Sequence, residues 1–106
     1  MTNKGRIFNI DSLLNDLREQ GGYFMNFFRV SHLEAGVIAL KPGENDTQTP
    51  HGSDELYYVI RGSGFVQLGD VSELIRPGSI VFVPAKLKHK FYGNKDELVV
   101  LYFFGE

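Results

Sequence analysis

Three side chains in this sequence have the types and spacing of a metal site or an acid–base pair. His51 and Glu55 lie four residues apart in TPHGSDE, directly before the apolar run LYYVI, and His89 lies in KLKHKFYG. The chain contains only three histidines, and imidazole and carboxylate groups are common ligands of transition metals. The chemistry therefore depends on whether the fold brings these three side chains together.

His51 and Glu55 can meet only if the chain turns between them. On a continuous strand, four residues span roughly 13 Å, which is too far for two ligands of one metal. A helix is disfavoured because Pro50 and the GSD segment at 52–54 are turn formers. We therefore expect a turn at GSD, with Glu55 starting the next strand.

His89 alternates with lysines in a pattern that is typical of a strand. A period of two places His89 and Phe91 on one face and the lysines on the other. Because lysines favour water, His89 is expected to face the apolar interior, where it needs a partner. A metal would supply one, and so would a hydrogen bond to Glu55 or to a backbone carbonyl. The remaining histidine, His32, is expected at an exposed hairpin turn.

The elements that must position these residues are short strands. After the GG pair at 21–22, eight runs rich in β-branched and aromatic residues alternate with turn-forming segments, which is typical of a sandwich or closed barrel. LYYVI and LVVLYFF are apolar on both faces, which indicates two packed sheets or a face buried by a partner subunit. We expect a helical segment at 1–22 that packs on a barrel domain at 23–106.

One segment near the N-terminus has the pattern of a helix. Leu13, Leu14 and Leu17 form a one-sided apolar stripe. Asp11 or Ser12 is the expected N-cap, and the following GG pair is expected to end the helix.

Composition excludes several classes of function. The chain has 106 residues, 42% of them hydrophobic, with a net charge of −2. This favours one globular domain and gives no basic footprint for nucleic acid. No apolar run approaches the roughly 18 residues of a membrane span. The absence of cysteine and of an apolar signal-like N-terminal run favours a cytoplasmic protein.

The first stretch resembles the first motif of the cupin superfamily. That motif is a glycine, five residues, His-x-His, three or four residues, a glutamate, six residues and a glycine. Here Gly43 is followed by five residues and then by Thr49-Pro-His51, Glu55 and Gly62 at the expected spacings. Thr49 stands where the family has its first histidine.

The second stretch resembles the second cupin motif. That motif is a glycine, five residues, Pro-x-Gly, two residues, a histidine, three residues and an asparagine. Gly78, Pro84 and His89 match it in order and spacing, whereas Lys86 replaces the second glycine and Gly93 falls on the asparagine position. The resemblance covers roughly residues 35–104 and is that of a small cupin of the cupin 2 type.

The resemblance implies an all-β fold, a double-stranded β-helix of the cupin or jelly-roll type with a short N-terminal helix, and a homodimer. It also implies that His51, Glu55 and His89 bind a divalent transition metal such as Fe, Ni, Mn or Zn. Thr49 takes the place of the fourth ligand, and a neutral hydroxyl is a weak one. The site is therefore either more open or degenerate, and a metal-free site is the alternative.

Alternation also predicts a pocket around this site. If Glu55 points inward, so does Tyr57, and Phe91 shares the face of His89. In GFVQLG either Phe65 and Gln67 or the two residues that alternate with them point inward. The predicted pocket residues are Thr49, Tyr57, Gln67 and Phe91.

Glu55 is the predicted catalytic residue. Without a metal, a carboxyl group in an apolar barrel has a raised pKa and can act as a general acid or base. An ion pair with His89 or Arg61 is the structural alternative.

Two functions follow from the resemblance. The first is a metal-dependent enzyme that acts on a small organic molecule with dioxygenase-like or isomerase-like chemistry. The second is a non-catalytic or metal-free cupin that binds a small ligand at a degenerate metal site. Neither nucleic acid nor a membrane is an expected partner.

Overall fold

The described part of the chain folds into one helix followed by eight strands. The computed structural model describes residues 4–105, so the first three residues of the predicted segment 1–22 and the last residue of the predicted domain 23–106 lie outside it. The elements are α1 (Ile10–Gln20), β1 (Phe24–Val30), β2 (Leu33–Leu40), β3 (Glu55–Arg61), β4 (Gly64–Leu68), β5 (Val71–Ile75), β6 (Ile80–Val83), β7 (His89–Tyr92) and β8 (Leu98–Gly105).

The strands form two sheets that face each other. One sheet has five strands in the order β1-β2-β8-β3-β6, and the other has three in the order β5-β4-β7. Every pair is antiparallel. The prediction of an all-β fold with eight strands and one short N-terminal helix is confirmed. The core between the sheets consists of Ile38, Leu40, Tyr57, Val59, Val66, Ile75, Val81, Val83, Phe91, Leu98, Val100 and Tyr102.

The helix packs on the outer face of the five-stranded sheet. Alternation in β2 and β8 sends every second side chain outward, and these meet the leucine stripe of α1. This explains why β8 is apolar on both faces, since one face packs in the core and the other packs under the helix. The contact consists of Leu13, Leu14, Leu17, Val37, Ala39 and Val99.

The predicted helix start was wrong. The helix begins at Ile10, and its N-cap is Asn9, whose carbonyl accepts the Leu13 N–H at 3.0 Å. Ile10 packs against the apolar cluster under the helix, so burial extends the helix one residue before Asp11. Asp11 and Ser12 therefore lie inside the first turn. The predicted end is correct, because Gly21 is the C-cap with φ 89°.

No helix among the described residues is both long enough and apolar enough to span a membrane.

Gly36 makes room for the ring of Tyr102. The two residues are opposite each other in β2 and β8, and a Cβ atom at position 36 would lie 1.9 Å from Cζ of Tyr102. The Tyr102 hydroxyl donates a hydrogen bond to the side-chain oxygen of Asn26. The Tyr102 ring therefore lies over Gly36, where β2 has no side chain.

We expect Gly36→Ala to destabilise the protein by about 1–3 kcal/mol, because an added methyl group overpacks a filled site. The measurement is urea unfolding, with Gly105→Ala as the control, since a Cβ atom there meets nothing within 4 Å. Equal stabilities for the two variants would contradict the packing described for Tyr102.

Candidate metal centre

Glu55 and His89 begin strands in opposite sheets. Glu55 is the first residue of β3 and His89 is the first residue of β7. Both side chains point into the space between the sheets, where Glu55 is 2% exposed and His89 is 4% exposed. The period-two pattern that predicted an inward His89 beside outward lysines is confirmed.

His51 reaches the same space from the loop that precedes β3. The chain bends at residues 52–53, as the GSD segment predicted. The His51 carbonyl accepts the Lys86 N–H at 2.7 Å, and the Asp54 carboxylate accepts the Ala85 N–H at 2.9 Å. These two bonds fix the His51 loop to the turn before His89. The sequence interpretation missed Asp54, although a carboxylate in a turn next to a strand is a common hydrogen-bond acceptor for backbone amides.

Lys86 has a left-handed backbone in that turn. Its φ of 70° is the only positive value among the described residues that are not glycine. The second cupin motif has a glycine here, and glycine adopts this conformation at no steric cost. Lys86 thus keeps the backbone shape of the motif without its glycine.

The three side chains form a compact group, which we call the His–Glu–His cluster: His51, Glu55 and His89. Oε1 of Glu55 lies 3.5 Å from Nε2 of His89 and 3.8 Å from Nε2 of His51. One ligand atom from each residue can be chosen so that all three lie within 4.8 Å of one another. Residues that are distant in the sequence thus offer three ligand atoms to one point.

Several atoms of the cluster are buried without a hydrogen bond. Among the described residues, neither Glu55 oxygen nor Nε2 of His51 has a hydrogen-bond partner. Of the two predicted ion-pair alternatives for Glu55, the one with Arg61 was wrong, because Arg61 pairs with Asp11 at 3.2 Å on the surface. The one with His89 has a matching geometry, with Nε2 of His89 3.5 Å from Oε1 of Glu55. Buried polar atoms are nearly always partnered. An orphaned carboxylate beside two imidazoles therefore fits a cation-binding site.

His89 is oriented by a backbone carbonyl. Its Nδ1 lies 2.8 Å from the carbonyl oxygen of Leu87, and a carbonyl only accepts, so Nδ1 of the neutral ring carries the proton. Nε2 then presents a lone pair toward Glu55. The expected alternative of a histidine bonded to a backbone carbonyl thus coexists with a ligand role, since metal-binding histidines usually donate their other N–H in this way.

The low polarity of the interior shifts the pKa values of the cluster. Burial raises the pKa of Glu55 to about 7. Burial, and then the neighbouring His89, lowers the pKa of His51. Both shifts favour uncharged side chains, which is the cost of placing the cluster in the barrel when no cation compensates it.

A cavity of about 530 Å³ opens beside the cluster. His51 and the predicted pocket residue Thr49 line it, whereas Glu55 and His89 are not among its described lining residues. The His51 ring packs edge-on against Phe104 at a centroid distance of 4.5 Å. Other lining residues are Tyr23, Phe24, Asn26, Arg29, Glu34 and Tyr102. The wall therefore combines aromatic rings with many polar and charged groups, and it is more polar than the predicted aromatic pocket.

The other predicted pocket residues lie elsewhere. Gln67 was wrong as a pocket residue, because β4 turns Val66 toward the core, and the Gln67 amide instead donates to the Gly69 carbonyl at 3.1 Å. Tyr57 and Phe91 are buried in the core, with ring centroids 4.8 Å apart. Neither is among the described residues of the cavity wall.

Two polar loop residues that the sequence interpretation missed support Tyr57. Oε1 of Gln48 accepts the Tyr57 hydroxyl at 2.7 Å, and the Gln48 amide donates to Asp46 at 2.8 Å. The Asp46 carboxylate also accepts the Tyr23 hydroxyl at 3.0 Å. The only sequence signal was a polar run before a motif position, which is equally typical of a solvated loop.

His32 is exposed in the turn between β1 and β2, as predicted.

The fold and the position of the cluster define a cupin. The family model described as a cupin domain matches residues 36–105, and the chain belongs to this family. An uncharacterized protein of Streptomyces coelicolor is 33% identical over 99 residues, which cover 93% of this chain and 94% of that protein.

Two solved structures are similar over almost the whole chain. One is an RmlC-like cupin family protein with a double-stranded β-helix fold from Methanocaldococcus jannaschii, with a TM-score of 0.76 and 21% identity over 99% of this chain and 92% of that chain. The other is a protein from Thermus thermophilus, with a TM-score of 0.75 and 23% identity over 93% of this chain and 95% of that chain. At these identities they bear on the fold alone, and the predicted double-stranded β-helix is confirmed.

The pKa of Glu55 predicts a pH dependence of stability in the metal-free protein. The carboxyl group has an ordinary pKa of 4.5 in the unfolded chain and a raised one of about 7 in the fold. Between these values the folded state keeps a proton that the unfolded state releases, so stability falls as the pH rises through this window. The expected loss is on the order of 3 kcal/mol.

Glu55→Gln isolates this effect, since His51 acts in the opposite sense: its lowered pKa reduces stability as the pH falls below 6.5. Urea unfolding with a chelator at several pH values would give the stability of wild type minus that of the variant. We expect this difference to decline from about pH 4.5 to 7. Glu73→Gln, at an exposed position of β5, is the control. A constant difference would contradict the raised pKa.

Proposed function

We propose that this cupin binds a divalent transition metal through His51, Glu55 and His89 and acts on a small organic molecule held in the adjacent cavity. The observation that carries the proposal is the convergence of three ligand atoms within 4.8 Å, two of whose residues have buried atoms without a hydrogen-bond partner. The donor set of two imidazoles and one carboxylate suits Fe, Ni, Mn or Zn.

The chemistry that such a metal supplies is Lewis-acid polarisation of a substrate oxygen at positions left open by the protein ligands. The chain's own residues have complementary tasks. The Leu87 carbonyl holds the His89 ring with its Nε2 directed toward Glu55. The hydrogen bond from Lys86 to the His51 carbonyl keeps the His51 loop against the turn.

The cavity determines how a substrate approaches. Because His51 is the member of the cluster on the described wall, we infer that the substrate enters along the His51 side. The rings of Phe104 and Tyr102 would stack on an apolar or aromatic portion of it. Arg29 and Glu34, which lie 3.5 Å apart, offer opposite charges to polar substituents. The family resemblance favours dioxygenase-like or isomerase-like chemistry.

A second function is supported by position 49. Thr49 lies where the family motif has a histidine, and its side chain is exposed on the cavity wall. A cupin that has lost this ligand can bind a small molecule in the same cavity without a metal. Glu55, with its raised pKa, would then serve as a hydrogen-bond donor or as a general acid or base.

Metal binding distinguishes the two functions. We expect the purified protein to retain a divalent transition metal, and added Zn²⁺ or Mn²⁺ at about 100 times Kd to stabilise the chelated protein by about 2.7 kcal/mol. His51→Ala should weaken binding by about 100-fold or more, because losing a direct ligand costs at least as much as losing an outer partner. The measurements are elemental analysis and thermal unfolding.

His32→Ala is the matched control, since this histidine is exposed in a turn and its loss should leave the affinity unchanged. If the wild-type protein neither retains nor binds these metals, the metal-dependent function is wrong and the metal-free binder replaces it. Equal losses in both histidine variants would also contradict the site.

We also propose that the chain forms a homodimer through an apolar patch on the outer face of the five-stranded sheet. The patch lies beside the area that α1 covers, on paired positions of β3 and β6. It carries no charged side chain, so two copies can meet across a two-fold axis without charge repulsion. Its members are Leu56 (46% exposed), Tyr58 (41%), Ile80 (69%) and Phe82 (56%).

We expect Phe82→Lys to convert a dimer into a monomer, because the two-fold axis would bring two lysines together in an apolar contact. Analytical ultracentrifugation at micromolar concentration would report the mass. Leu74→Lys is the control, because Leu74 is also exposed, at 67%, but lies on the other sheet. A monomeric wild-type protein, or a Phe82→Lys variant that remains a dimer, would contradict this interface.

A further inference from the structure

The hydrogen bonds around Tyr57 determine where its proton lies. The Asp46 carboxylate accepts hydrogen bonds and donates none, and it accepts the backbone N–H of Phe91 at 2.8 Å. It lies 2.8 Å from the side-chain nitrogen of Gln48. Because only the amide nitrogen can donate to a carboxylate, the carboxamide oxygen of Gln48 must face the other way, toward Tyr57.

The Tyr57 hydroxyl therefore donates to Gln48. Its oxygen lies 2.7 Å from Oε1 of Gln48, and a phenol has a single proton to donate. With the proton directed at Gln48, the lone pairs of the Tyr57 oxygen are free to point elsewhere.

Those lone pairs meet another lone pair. The Tyr57 oxygen lies 3.0 Å from Nε2 of His89, and the contact of Nδ1 with the Leu87 carbonyl at 2.8 Å favours the tautomer that carries its proton on Nδ1. In that tautomer, and with the Tyr57 proton directed at Gln48, neither group offers a proton to the other. Two acceptors at this distance repel each other unless a positive charge lies between or beside them.

The same point collects the other acceptors of the cluster. Oε1 of Glu55 is 3.5 Å from Nε2 of His89, and the described residues offer no hydrogen bond to either Glu55 oxygen or to Nε2 of His51. Four residues thus bring acceptor atoms to one region of the interior. This convergence fits a cation site, because buried polar atoms are nearly always partnered.

We propose that the Tyr57 hydroxyl oxygen is a fourth, weaker protein donor of this site, in place of the histidine that Thr49 has replaced. It is a neutral hydroxyl like that of Thr49, but it is buried and lies 3.0 Å from Nε2 of His89. The inference rests on the proposed metal binding by the His–Glu–His cluster. Gln48 is the positioning residue, because it holds the phenol proton away from the metal. Thr49 lies exposed on the cavity wall and is left as a contact for the substrate.

The test compares metal affinities in chelator competition with Zn²⁺ and with Mn²⁺. Tyr57→Phe removes the oxygen and keeps the ring, and we expect its affinity to fall by about 10-fold or more. Tyr58→Phe is the matched control, because it removes the same hydroxyl group from the neighbouring, outward-facing tyrosine of β3. It should bind within about two-fold of wild type, a spread within the variation of neutral surface substitutions.

Gln48→Leu tests the positioning role. It leaves the phenol in place but frees its proton, which can then turn to Nε2 of His89 and compete with the metal. We expect a loss of about 10-fold, of the size seen when an outer partner of a metal ligand is removed. Gln67→Leu is the control, because Gln67 bonds only the Gly69 carbonyl within the described residues. Thermal unfolding of the metal-free variants verifies that each is folded.

The visible spectrum of the Co²⁺ protein separates a direct donor from an outer partner, because the d–d bands depend on coordination number and geometry. A changed spectrum in Tyr57→Phe supports coordination by Tyr57. Weaker binding with an unchanged spectrum, or affinity equal to that of Tyr58→Phe, overturns it while leaving the three-ligand site intact. If wild type binds none of the three metals, both proposals are overturned.

Discussion

The burial of the Glu55 carboxyl group without a hydrogen bond is the constraint on which the rest of the site depends. At 2% exposure, a free carboxylate would be strongly disfavoured, and the raised pKa of about 7 expresses that cost. A bound cation removes the penalty because it compensates the charge. The two imidazoles and the Tyr57 oxygen face the same region, and this convergence is what supports the proposed metal centre.

Short-range features of the fold bring the three side chains of the cluster together. Glu55 and His89 face each other because each begins a strand in one of two packed sheets, and alternation sends both inward. His51 joins them because the chain bends at residues 52–53. The Lys86 N–H donates to the His51 carbonyl and the Ala85 N–H donates to the Asp54 carboxylate, which ties this segment to residues 85–86. The ligands thus depend on strand ends and on one loop-to-loop contact. Packing by α1 stabilises the sheet from its other side, at a distance from the chemistry.

The features that follow from strand alternation and from motif spacing could be predicted from the sequence. Alternating lysines around His89 identified its inward face, GSD identified the turn, and the two motifs identified the cupin fold. The features that depend on contacts between residues distant in the sequence could not be predicted. Both faces of GFVQLG are compatible with burial, so Gln67 was assigned to the wrong one. The support of Tyr57 by Gln48 and Asp46 had no local signature, because a polar loop becomes a hydrogen-bond network only when a barrel closes around it.

The most direct test of the account is a crystal structure of the protein soaked in Zn²⁺ or Mn²⁺, with anomalous diffraction recorded at the absorption edge of the metal. If the cluster binds a metal, one strong anomalous peak is expected between the sheets, in contact with Nε2 of His51, Nε2 of His89 and the Glu55 carboxylate. If no peak lies there and a side chain or water hydrogen-bonds both Glu55 oxygens instead, the cluster is a polar feature of the core and the account is wrong.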